Sequence, residues 1–135
     1  MTIPKIIKKL LGIHVTGYSV NRGVLRLHPK QPFIEWLAKE SQCSLEEAER
    51  LAWEDRTAFL LPMSWDIKPE KEVVGAVYRY LFETTLQEWV LDKRRWPHPR
   101  SRQLFNQWFD IHWSDKTIDL SREPLASDPE PYEPM

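Results

Sequence analysis

The sequence predicts an α+β domain: a small three- to four-stranded sheet covered by helices, with one long central helix. Three observations lead there. Strand-like alternation recurs in only three or four short places, separated by helical stripes, too little for a doubly wound parallel sheet. One apolar stripe runs through more than twenty residues between Pro69 and Pro97. At 135 residues the chain has the size of one domain, so these elements must share a core.

The elements follow in order. Ile3, Ile6, Ile7, Leu10 and Leu11 fall at helical spacing with Lys5, Lys8 and Lys9 around them, and Gly12 stops the run. This predicts a basic amphipathic segment over residues 1–18, docking on the domain or a second copy, or lying on an acidic lipid surface. Ser19 to His28 alternates as a strand made irregular near Gly23, with Arg22, Arg26 and His28 between apolar residues. Pro32 then suits the first turn of a helix whose buried side carries Phe33, Ile34, Trp36 and Leu37.

Ser44 with Glu47 three residues on is a capping box and starts a helix to about Glu54. Arg56 to Met63 is a short apolar run closed by proline and reads as a buried strand. Pro69 opens the longest helix, predicted to about Lys93, with Val74, Val77, Tyr78, Leu81, Phe82, Leu86 and Trp89 as its stripe. Lys93, Arg94 and Arg95 would then complement the negative end of its dipole. A short helix over Ser101–Trp108 leads into Phe109–Trp113, a clean alternation with aromatics on one face. Thr117–Leu120 is either a paired strand or a continuation. The domain proper spans residues 19–120. Beyond it, Pro124, Pro129, Pro131 and Pro134 among Ser, Asp and Glu predict a disordered acidic tail over 121–135.

Net charge is −1, so no global field points to nucleic acid or membrane, but its distribution is uneven. Met1–Lys30 holds six Lys/Arg and no acid, whereas Ser121–Met135 holds four acids against Arg122. The one cysteine, Cys43, excludes an internal disulfide. Lys8 and Lys9 interrupt what would be the apolar part of a signal peptide, and no run approaches the ~18 apolar residues of a membrane span, so a cytoplasmic protein is expected.

Pro29-Lys30-Gln31-Pro32-Phe33-Ile34-Glu35-Trp36 is followed by Phe59-Leu60-Leu61-Pro62, then Trp96-Pro97, then Phe105, Trp108, Phe109 and Asp110, and last Asp119-Leu120. This order resembles that of a group of small uncharacterised bacterial proteins. The resemblance covers about Ser19 to Leu120 and implies a shared fold; no activity is attached to it.

No motif assigns an activity. The four histidines, His14, His28, His98 and His112, are scattered, with none at i, i+4 from another, so no metal site is expected. No cofactor is expected either: four glycines make no phosphate-cradling loop, and no Gly-x-Ser-x-Gly is present. Asp110 and His112 share one strand face, the one place where an acid–base site would be conceivable. The strongest polar feature is the segment Lys93, Arg94, Arg95, Trp96, His98, Arg100 and Arg102, which could grip phosphates and stack a base. Equally, its charges could answer a helix dipole and pair with Glu88 and Asp92, with Trp96 plugging the core.

Seven Trp exceed what packing requires. Trp36, Trp89, Trp108 and Trp113 are expected in the core, leaving Trp53, Trp65 and Trp96. The expected function is therefore a non-enzymatic protein-interaction module or self-associating domain. Its candidate surface comprises the 93–102 segment, Trp65 and, if they share its face, Arg22 and Arg26. Nucleic-acid binding through the basic segment is the alternative. No small-molecule substrate is evident.

Overall fold

A computed structural model describes residues 15–134, so the basic helix predicted over Ile3–Ile13 lies outside the described residues. The chain runs β1 (Tyr18–Val20), β2 (Arg22–Pro29), α1 (Gln31–Ser41), α2 (Leu45–Glu54), β3 (Phe59–Pro62), α3 (Glu70–Trp89), α4 (Arg102–Trp108), β4 (Phe109–Ser114) and β5 (Thr117–Asp119). Short 3₁₀ turns occupy Met63–Ile67 and Lys93–Arg95. The fold is α+β, with a three-stranded antiparallel sheet ordered β3-β2-β4, a two-stranded β1-β5 ribbon, and α3 as the long helix of 20 residues.

The irregularity expected near Gly23 is a register step. Val20 pairs with Thr117 and Val24 with Ser114, so Asn21, Arg22 and Gly23 face only Asp115 and Lys116 across the gap. One surplus residue on the first strand bends it and re-aims its side chains, as a β-bulge does. Close approach favours glycine at position 23. A Cβ would lie 3.2 Å from Trp113 Nε1 and 3.3 Å from the Ser114 carbonyl oxygen.

Side-chain alternation then sorts the sheet into two faces. Leu25, Phe59, Leu61 and Phe109 turn inward, with Leu27, Ile111 and Trp113 packed partly buried behind them. The helices close over this side. Phe33 and Leu37 of α1, Phe82 and Leu86 of α3, and Phe105 of α4 are fully buried. Their rings form one cluster, with Phe33–Phe109 centroids 4.9 Å apart, Phe82–Phe105 5.6 Å and Trp36–Trp108 5.9 Å. Each such side chain contributes about 1.5–3 kcal/mol by burial, and each favourable ring pair about 0.5–1.5 kcal/mol more.

Local signals explain the helix ends. Ser44 Oγ accepts from Glu47 N at 3.0 Å and Ser101 Oγ from Leu104 N at 3.1 Å, so both helices begin on serine caps. The long helix departs from expectation at its far end. It stops at Trp89 because Val90 takes extended angles. The Trp96 indole then folds back to donate to the Val90 carbonyl at 2.7 Å, and Asp92 caps a separate turn by accepting from Arg94 N at 3.0 Å. Lys93, Arg94 and Arg95 therefore lie beyond the helix and do not complement its terminal carbonyls. The run read as a buried strand is an edge strand instead. It pairs only with β2, and its Leu60 is 49% exposed. β5 pairs with β1 rather than turning back on β4.

Candidate binding surface

The basic segment places its charges differently from a phosphate-gripping patch. Arg94 pairs with Asp92 at 3.0 Å. Arg95 reaches back to Glu40 on α1, where its own carbonyl oxygen accepts the Trp36 Nε1 proton at 3.0 Å. Arg100 pairs with Glu83 on α3 at 3.1 Å and lies over the Trp96 ring, 5.4 Å from its centroid. Arg102 donates to the Lys71 carbonyl across the flank of Gly75, whose missing side chain leaves it room. His98 is exposed, with Nδ1 3.2 Å from Arg100, and Lys93 is exposed with Nζ 5.9 Å from the Trp96 centroid. These side chains tie the segment to α1 and α3.

Of the two tryptophans proposed for the surface, one belongs to the interior and the other is half-buried. Trp96 is 3% exposed and its indole is the plug between α3 and the following turn. Trp65 is half-buried and packs against the core from the Met63–Ile67 turn. Both are apolar rings adjacent to prolines or bends, where sequence alone does not fix the direction of the side chain.

The other two, Arg22 and Arg26, lie elsewhere. They share the outer parity of β2 with Val24 and His28, on the side of the sheet opposite its buried residues Leu25 and Leu61. Register sets His28 opposite Asp110, Arg26 opposite His112 and Val24 opposite Ser114 on β4. On β3, Leu60 and Pro62 complete this face beside Val24 and Arg22. The cations of β2 and those of the 93–102 segment thus do not share one face.

The centre of the open face is built from rings. His28 and His112 stack with centroids 3.5 Å apart and planes at 24°. Trp53, at the end of α2, leans over His28 at 4.9 Å and remains 46% exposed. Lys30 closes one end, its Nζ 3.5 Å from Asp110 and donating to the Asn106 carbonyl at 2.9 Å. Loss of solvation holds the His28 imidazole below its usual range; His112 and Arg26 push the same way, and Asp110 pulls weakly against them. His28 is therefore a neutral ring at pH 7, fit for stacking and for one hydrogen bond from each nitrogen's side.

Sequence reasoning paired Asp110 with His112 but missed His28 and Trp53 as their neighbours. The parity of Arg22, Arg26 and His28 was available as a signal; the β2–β4 register that brings His28 to His112 was not. Among the described residues, no group of three or more His, Cys, Asp or Glu is arranged to hold a metal ion. Cys43 is half-buried against the core with a free thiol. No described helix is long and apolar enough to cross a membrane. Comparison of the chain with protein-family models, with curated proteins and with solved structures gave no match.

Proposed function

We propose that the protein is an interaction module that binds a protein partner through the open face of its β3-β2-β4 sheet. The observation that carries this reading is the His28–His112 stack with Trp53 against it at the centre of the face, where His112 and Trp53 are exposed among the described residues. A sheet with one buried face ordinarily turns polar residues to water on the other. Here Val24, Leu60 and Trp53 join the rings, and Arg22 and Arg26 border them. Flat amphipathic rings and arginine rimmed by polar groups are the composition of interface hot spots. A cytoplasmic setting accords with the free thiol of Cys43.

One observation favours a second reading, single-stranded nucleic acid on the same face. Stacked rings beside Arg22 and Arg26 offer bases a platform and phosphates a counter-charge. The 93–102 segment supports this less, because Arg94, Arg95 and Arg100 already hold Asp92, Glu40 and Glu83.

Purified full-length protein separates the readings. Affinity capture with wild type, Trp53→Ala and Arg26→Glu is compared with oligonucleotide binding at 50 and 200 mM salt. A protein partner, or a second copy seen by sedimentation, that is lost in both variants supports the first reading. Retention of every partner by both variants rejects it. Oligonucleotide binding that weakens steeply with salt and disappears in both variants establishes the second.

A further inference from the structure

The acidic tail carries no helix or strand over Ser121–Pro134, yet one residue in it is specifically engaged. Tyr132, itself 62% exposed, borders a cleft of about 480 Å³ between the free edge of β3 and the flank of α3, together with Thr57, Phe59, Leu60, Tyr80, Thr84 and Glu88. The Tyr80 hydroxyl donates to the Tyr132 main-chain carbonyl, and the Tyr132 hydroxyl donates to the Glu88 carboxylate. The first contact fixes the path of the backbone, and the second reads the tip of the side chain. Together they select an extended chain bearing tyrosine over one bearing phenylalanine.

We propose that this cleft is a peptide-binding groove for an extended, proline-flanked tyrosine segment, and that its resident ligand is the chain's own segment Asp128–Pro134. Three features of the segment support that occupant. Pro129, Pro131 and Pro134 hold φ near the extended polyproline value, so the segment loses little freedom when it docks. The same prolines remove amide donors, so the segment covers the β3 edge without joining the sheet as another strand. A tail of this composition has no drive of its own to order, so engagement at one tyrosine reflects the receptor.

The tether makes the contact both populated and releasable. Twelve positions separate Leu120 from Tyr132 (132 − 120), a short flexible link that presents the tyrosine at an effective concentration of order millimolar. A modest intrinsic affinity then suffices for occupancy in cis, and a free peptide of like chemistry must compete with it. This groove is separate from the ring cluster of the open face, although Leu60 borders both.

The test uses full-length protein and a synthetic peptide of residues 127–135. Binding is followed by amide chemical shifts for wild type, for Tyr132→Ala, and for Tyr132→Ala combined with Tyr80→Phe and Glu88→Gln. Tyr132→Ala alters only the tail and vacates the groove. It is expected to bind the peptide about ten-fold more tightly than wild type does, since the tether no longer competes. Adding Tyr80→Phe and Glu88→Gln, both conservative at exposed positions, is expected to weaken that binding about ten-fold or more. Equal affinity for wild type and Tyr132→Ala overturns the proposal. So does absence of binding to Tyr132→Ala at millimolar peptide, or binding indifferent to Tyr80→Phe and Glu88→Gln.

Discussion

The imidazole of His28 lies on that of His112 across the β2–β4 ladder, their centroids 3.5 Å apart. The pairing is non-local: Arg26 faces His112 and His28 faces Asp110 in the register, and the two rings lean diagonally toward each other. It gives the open face a titratable centre whose behaviour follows from its neighbours.

Stability is expected to fall on mild acidification. The folded state holds the His28 pKa below its usual value, whereas the unfolded chain titrates normally near ~6.5. As pH drops through that value the unfolded state takes up the proton first, so its stabilisation grows. The His28 contribution is therefore complete above the unfolded pKa and is lost on going down toward the folded one. Urea midpoints between pH 8 and 5 measure this, and His28→Gln is expected to flatten the acid limb.

Glu83 and Arg100 form the least exposed ion pair among the described residues, at 18–19% side-chain exposure each. Removing one partner leaves the other desolvated, so Glu83→Ala and Arg100→Ala should each cost about 1–3 kcal/mol. The double variant is expected to lose less than the sum, with a coupling of about 0.5–3 kcal/mol in a double-mutant cycle. Purely additive losses would place the stability of this contact in the packing of Arg100 on Trp96 instead.

Trp96→Phe keeps a ring in the plug but removes the donor to the Val90 carbonyl. The expected loss is about 1–3 kcal/mol by chemical denaturation. Trp96→Ala, which also opens a cavity, should cost about 3–5 kcal/mol. Neither change should alter partner binding beyond its effect on folding, because Trp96 presents almost no surface.

Gly23→Ala should destabilise by about 1–3 kcal/mol, since the new methyl meets the rigid Ser114 carbonyl and the Trp113 indole. A shift in tryptophan emission should accompany it. An unchanged midpoint would mean that the β1–β2 junction yields easily.

Much of the fold was legible where chemistry is local. Ser44 and Glu47 announce their helix three residues apart, and the alternation of Phe109 to Trp113 announces its strand. Inward and outward residues of β2 follow from parity alone. What parity does not contain is register, so nothing in the sequence brings His28 to His112. The helix end was misplaced for a related reason: charge at Lys93–Arg95 suits a helix terminus, but the need to bury Trp96 turned the chain four residues earlier, at Trp89 to Val90. Composition reads residues 121–135 as one disordered acidic tail. It averages over residues, however, and so misses a single tyrosine held by Tyr80 and Glu88.

The surplus residue between Val20 and Val24 also governs how this chain can change length. Asn21 belongs to neither ladder, and deleting it leaves two residues between Val20 and Val24, matching Asp115 and Lys116 opposite. The β2–β4 register would then run unbroken into the ribbon with Val20 still opposite Thr117, and only the bend would be lost. Losing two residues would move the surplus to the Asp115–Lys116 side. A one-residue slip made to absorb it would exchange the partly inward Thr117 and Asp119 with the outward Ile118. Loss of one residue at this junction is therefore expected to be tolerated better than loss of two.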